Sequence, residues 1–201
     1  MRLDESSETD VQDMLRLKNG EDTALNALMS RWQTPLVSFI LRYTGDEQDA
    51  LDLAQETFVR VFESRGRYAP HSKFSTWLFT IATNLCRNQA RWRQRHPNVS
   101  LEQSTNKDTQ TLGESLSSPG NSPSDNAERD DLAGAVREAI QALPDDLRAT
   151  VLLFEYQELG YEEIGRTLKC TPKAVETRLY RARKILREAL SRWKIGMSDS
   201  G

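Results

Sequence analysis

Apolar positions recur at three- and four-residue spacing from the N-terminus to about residue 96, the pattern of helices that each bury one stripe. "DVQDMLRLKNG" carries Val11, Met14, Leu15 and Leu17 and stops at Asn19-Gly20. "TALNALMSRW" follows with Leu25, Leu28, Met29 and Trp32, and Pro35 is expected to start or kink a third helix, "PLVSFILRYTG", that ends at Gly45. In "DEQDALDLAQETFVRVFESRG" the inward stripe is Ala50, Leu53, Ala54, Thr57, Phe58 and Val61. Asp52, Gln55, Glu56, Val59 and Phe62 fall off that stripe, and Gly66 closes the helix. After "RYAPHSK", Ser75 or Thr76 is expected to cap a fifth helix, "WLFTIATNLCRNQARWRQR". No alternating strand pattern competes with these helices.

The periodicity stops after His96. "PNVSLEQSTNKDTQTLGESLSSPGNSPSDNA" has hardly any large apolar residue, so it cannot bury enough surface to offset its ordering entropy and reads as a flexible linker. Helical spacing resumes near Asp130: "DLAGAVREAIQAL" stops before Pro144, "DDLRATVLLFEYQEL" stops at Gly160, and "YEEIGRTL" leads into the last helix. The expected fold is therefore all-α, with two helical domains joined by a flexible polar linker. The domains are residues 10–96 and 130–194, the linker is 97–129, and 1–9 and 195–201 are disordered tails.

The last helix has chemistry of its own. Thr171 suits an N-cap and Pro172 the first helical position. Val175, Leu179, Ala182, Leu186, Ala189 and Leu190 share one face. Lys173, Thr177, Tyr180, Arg181, Lys184 and Arg187 share the opposite one, flanked by Arg178 and Arg183. "YEEIGRTL", a short turn at Lys169-Cys170 and this capped basic helix make a helix-turn-helix without the usual small turn residue.

Charge sharpens that reading. The chain of 201 residues carries a net charge of −3, but from Glu128 to Glu163 ten acids face three bases, whereas from Arg166 to Lys194 ten bases face two acids. Such a basic block is the footprint of a phosphate-binding element. A second basic stretch, "CRNQARWRQRH", places Trp92 among Arg87, Arg91, Arg93 and Arg95, a combination able to hold phosphate and stack unpaired bases. His71 and His96 are the only histidines, no Cys or His pair has metal spacing, and no glycine loop cradles phosphate. No catalytic residue, metal ligand, cofactor or small-molecule substrate is expected. Cys86 and Cys170 should be free thiols. No apolar run approaches the roughly 20 residues of a membrane helix, and the polar N-terminus lacks a signal-peptide core, so a cytoplasmic protein without direct membrane insertion is expected.

Together, "DALDLAQETFVRVF", "FSTWLFTIATNLCRN" and "LPDDLRATVLLFEYQELGYEEIGRTLKCTPKAVETRLYRARKIL" resemble bacterial RNA polymerase sigma factors of the sigma-70 family, extracytoplasmic-function group. The resemblance implies that 10–96 is region 2 and 130–194 is region 4, and that core RNA polymerase and promoter DNA are the partners. Asp52, Gln55, Glu56 and Phe62 would dock on the polymerase. Lys73, Phe74, Asn84, Arg87, Asn88 and Arg91 would meet unpaired bases of the −10 element, the loop from Ser64 to Phe74 helping to capture a flipped base. Lys173, Thr177, Arg178, Tyr180, Arg181, Arg183 and Lys184 would read the duplex −35 element. Glu176 stands where some members carry Arg. Trp77, Leu78, Ile81 and Ala82 match the core signature of region 2. The family also implies an anti-sigma factor as a partner, an envelope or stress response as the setting, and a linker directed toward the polymerase cleft. The alternative is a stand-alone helix-turn-helix regulator with an N-terminal sensor domain.

Overall fold

Four helices build the N-terminal half of the computed structural model, which describes residues 3–70, 72–96 and 123–198. They are α1 (Leu3–Lys18), α2 (Thr23–Thr44), α3 (Glu47–Glu63) and α4 (Phe74–Arg95), with a 3-10 turn at Arg65–Arg67 between the last two. The second half comprises α5 (Pro123–Gln141), α6 (Asp145–Glu155), α7 (Tyr161–Leu168) and α8 (Pro172–Ser198). Among the described residues there is no strand, in keeping with the expected all-α class.

Several boundaries differ from the sequence reading. Pro35 does not start a helix: it lies inside α2, whose buried Ala24, Leu28, Leu36, Phe39, Ile40 and Tyr43 run on both sides of it. Continuous burial along one face outweighs the one backbone hydrogen bond that proline cannot donate. Helix α1 begins at Leu3 rather than after a disordered tail, α5 begins at Pro123 rather than near 130, and α8 runs to Ser198 rather than ending at 194. Helix α6 ends at Glu155, short of Gly160. Neither Ser75 nor Thr76 caps α4: the helix starts at Phe74, after an extended Lys73, with no side-chain cap. The rest of the expected linker, 97–122, together with His71 and the chain ends, lies outside the described residues.

The N-terminal core is aromatic. Trp32 packs edge-on against Phe74 and Phe79 at centroid distances of 5.9 and 6.0 Å, and Phe39 meets Phe79 at 5.1 Å. Such edge-to-face pairs add to the area that the rings bury. Asp10, almost fully buried on α1, accepts from Trp32 Nε1 and from Arg31, both at 2.9 Å. Burial raises the pKa of its carboxyl, against the pull of these two donors. At the start of α3, Asp46 caps by accepting the Asp49 N–H at 2.8 Å, which satisfies one of the free donors of the first turn.

The two halves share one hydrophobic core. Arg148 of α6 donates to the carbonyl oxygens of Tyr43, Gln141 and Leu143, tying the end of α2 to the turn before α6. The Gln141 side-chain amide donates to the Arg42 carbonyl, and the Arg42 guanidinium lies 4.4 Å from the centroid of the Tyr156 ring, within cation–π range. On the other side, Thr167 of α7 reaches the Thr76 carbonyl of α4 at 3.5 Å.

The helix-turn-helix turn forms without a glycine at its bend. Lys169 takes the left-handed conformation, with φ 53° and ψ 49°, that a small residue ordinarily supplies. The glycine that matters sits earlier, inside α7: a Cβ on Gly165 would lie 2.7 Å from the Cys170 carbonyl oxygen. The turn therefore folds back against a bare α-carbon. Gly165→Ala should destabilise the C-terminal half by about 1–3 kcal/mol through that clash, read as a lowered urea midpoint; an unchanged midpoint would show that the turn relaxes freely.

Candidate polymerase and promoter interface

Helix α3 presents the stripe expected of it. Ala50, Ala54, Thr57, Phe58 and Val61 are buried, and Asp52 and Gln55 are exposed. Glu56 accepts from Arg60 one turn on at 2.8 Å, so it stays at the surface as half of an ion pair. Val59 and Leu51 are large apolar residues left in solvent beside these polar groups, 50% and 39% exposed. An apolar pair so placed suits a partner surface. Leu51 escaped the sequence reading because a single off-stripe leucine carries no signal of its own. Phe62 is only half exposed, with the Arg65 guanidinium over its ring at 4.1 Å.

On α4, Asn84, Asn88 and Arg91 are exposed, and their helical spacing puts them on one face. Exposed Trp92 stacks on His96 at 4.9 Å at the end of this helix. Four neighbours depart from expectation. Phe74 does not reach the surface: it is 1% exposed and packs in the aromatic core, because α4 starts there and turns that side chain inward. Arg93 bonds the Asp49 carboxylate of α3 at 2.7 Å and so braces the helix pair. Arg87 is half-buried and donates to Asp145 and Asp146 of α6 at 2.9 and 2.7 Å. Burial opposes its charge, but these carboxylates more than offset that and raise its pKa. Lys73 pairs with Glu163 of α7 at 3.1 Å. Burial also raises the pKa of the neighbouring Cys86 thiol; Cys86 and Cys170 are both free.

Thr171 caps α8 as expected, its hydroxyl accepting the Ala174 N–H at 3.2 Å. Val175, Leu179 and Ala182 face the core. Tyr180 is 72% exposed, and Arg181 and Lys184 stand in solvent beside it. Lys173 is exposed and pairs locally with Glu176 at 2.7 Å, and Thr177 donates to the Lys173 carbonyl. Arg183 bonds Glu155 at 2.9 Å, and Arg178 bonds Asp146 at 2.9 Å. A groove of about 550 Å³ runs beside this face, lined by Tyr161, Tyr180, Arg183, Lys184 and Arg187 together with Glu176, Leu179 and Glu188. Tyr161 belongs to the preceding helix, so its place there is set by packing.

This pairing of an exposed α3–α4 surface with an open basic recognition helix has counterparts of known type. Residues 28–96 match the family described as Sigma-70 region 2, and residues 133–186 match Sigma-70, region 4. The RNA polymerase sigma-H factor of Pseudomonas aeruginosa is 33% identical over 92% of this chain and 95% of its own length. The chain belongs to the extracytoplasmic-function group of the sigma-70 family. A second relative, the ECF RNA polymerase sigma-E factor of Haemophilus influenzae, is 30% identical over 89% of the chain and 93% of its own length.

Among solved structures, CnrH in complex with the cytosolic domain of CnrY superposes with a TM-score of 0.68 at 23% identity, covering 92% of this chain and 98% of that one. RpoE in complex with the anti-sigma factor NepR, from Bartonella quintana, gives 0.59 at 20% identity, covering 83% and 96%. By its two family regions and its sigma-H and sigma-E relatives, this sigma factor is a transcription initiation protein, and not an enzyme. Region 2 occupies the place of the sensor domain that a stand-alone regulator would need, which does not favour that alternative. Among the described residues of the factor, no helix is long and apolar enough to cross a membrane.

The two kinds of arginine separate energetically. Arg148→Ala would leave buried carbonyls of the domain junction unpaired and should lower stability by about 2–4 kcal/mol. Arg181→Ala removes only an exposed side chain and should stay within about 0.5 kcal/mol of wild type. Urea unfolding of both variants checks the contrast; equal losses would contradict it.

Proposed function

We propose that the two surfaces divide the work of initiation. Asp52, Gln55, Glu56 and the half-exposed Phe62, with Leu51 and Val59 beside them, dock on core polymerase. Asn84, Asn88 and Arg91, with Arg87 and Lys73, hold unpaired bases and phosphates of the −10 element, where trapping flipped bases sustains melting. Phe74 acts from the core, by placing the start of α4. Lys173, Thr177, Tyr180, Arg181 and Lys184 enter the duplex −35 element, with Arg178 and Arg183 joining once their carboxylate partners are released. The factor works in the cytoplasm, in an envelope or stress response. It is held there by an anti-sigma factor, as the Bartonella RpoE is bound by NepR in its solved complex.

The observation that carries the reading is the open Tyr180–Arg181–Lys184 face: basic residues beside an aromatic that no internal packing requires. Arg181→Ala should reduce holoenzyme affinity for a cognate promoter by about 1–3 kcal/mol with relaxed preference at one −35 position if it meets a base. A phosphate contact would instead weaken all sequences alike and reduce the salt slope by about one. Binding to cognate and −35-scrambled promoters at several salt concentrations decides this; wild-type affinity, preference and slope would reduce Arg181 to surface charge.

The other surface divides in a second experiment. Gln55→Ala with Glu56→Ala should weaken core-polymerase binding without loss of helical circular dichroism. Asn84→Ala should leave core binding intact but lower permanganate reactivity of −10 thymines in the holoenzyme complex. Unchanged core affinity in the first variant, or wild-type reactivity in the second, would remove the corresponding assignment.

A further inference from the structure

One acid stands among the cations of the recognition helix. Glu176 is exposed near the start of α8 and lines the groove beside Tyr180, Arg183 and Lys184. Its Oε2 accepts from the Lys173 ammonium at 2.7 Å, and the two side chains are 53% and 81% exposed. Its Oε1 makes no hydrogen bond among the described residues. The pair draws the carboxylate back over the face that carries Lys173, Thr177 and Tyr180.

Helix stability does not account for this pair. A lysine in the first turn opposes the positive end of the helix dipole, and a base placed before its acid is the weaker order for such pairs. Both groups stand largely in solvent, where one ion pair contributes little, and Thr171 already caps the helix. The chemistry of a carboxylate in a DNA groove is more selective. It accepts hydrogen bonds and donates none, so phosphate oxygens, guanine O6 and N7 and thymine O4 all repel it. The major-groove donors are the amino groups of cytosine and adenine, and adenine sets its N7 acceptor beside its own. Cytosine alone offers a donor without that opposing acceptor.

We propose that Glu176 determines specificity at one position of the −35 element by accepting a hydrogen bond from the N4 amino group of a cytosine, on either strand. The inference rests on the reading that α8 enters the −35 duplex, and names what one of its residues selects there. Residues near the start of a recognition helix are those that meet base edges. Arg181 and Lys184 attract every sequence alike, whereas Glu176 subtracts from that attraction wherever no donor faces it, which is how an unfavourable contact creates preference. Lys173 offsets the negative charge where phosphates are close.

The test is selection by holoenzyme, built with the full-length factor, from a promoter library randomised across the −35 element. Wild type should favour cytosine over guanine or thymine at one position by about 5- to 30-fold. Glu176→Ala should flatten that position and leave the other preferences in place, with an unchanged urea midpoint. Glu176→Gln should turn the same position toward adenine, because an amide pairs with adenine N6 and N7. Wild-type preferences in the alanine variant would overturn the proposal. So would an equal gain for all sequences, which would make Glu176 only a repeller of phosphate, or a general loss with a lowered urea midpoint, which would make it structural. Arg181→Ala in the same selection separates the two readings. An effect there without one at Glu176 removes this proposal and leaves α8 in the −35 duplex, and no effect at either residue removes both.

Discussion

Arg87 donates to both carboxylates at the start of α6, and Asp146 passes the connection on to Arg178 at 2.9 Å. Through these few charge-assisted bonds a helix of region 2, the first turn of α6 and the recognition helix are held in one arrangement. Arg148 reinforces it from below, with its guanidinium against the carbonyls at the end of α2. What remains open on the surface follows from this junction. The α3 face is on the far side of its own core stripe, and the Tyr180–Arg181–Lys184 face is opposite the residues that α8 buries. Arg87, Lys73 and Arg178, near the junction, are each paired with a carboxylate.

The distribution of charge gains a structural meaning from that geometry. Ten acids against three bases between Glu128 and Glu163, followed by ten bases against two acids, is a costly pattern for a chain whose parts never meet. Folded, the pattern is partly self-complementary, because Asp146 bonds Arg178 and Glu155 bonds Arg183, both at 2.9 Å. These bonds lie near the surface, at half-exposed groups, where a single pair contributes little.

Rigidity is concentrated away from that junction. The aromatic cluster of Trp32, Phe39, Phe74 and Phe79 fixes where α4 begins, and Arg93 fixes where it ends against α3. The Asn84–Asn88–Arg91 face is therefore carried on a helix restrained at both ends. In the other region, the close approach of Cys170 to Gly165 sets the angle at which α8 leaves the turn. Both candidate DNA surfaces are thus presented by packed elements.

Helical class, the two-part layout, the inward stripe of α3 and the two faces of α8 are legible in the sequence, because a 3.6-residue period reports burial along a single helix directly. The Thr171 cap is legible for a similar reason, since its partner lies three residues away. Other features were decided by contacts distant in sequence. Pro35 remains inside α2 because residues on both sides of it are buried together. Phe74 lies in the core because Trp32 waits for it there, α1 begins at Leu3, inside what read as a tail, and Asp10 bonds Arg31 and Trp32 of α2 at 2.9 Å. The pairing of Arg87 with Asp145 and Asp146 joins residues more than fifty positions apart. A local pattern records which residues share a face, whereas which of those faces meet depends on how the helices pack, and only the tertiary structure contains that.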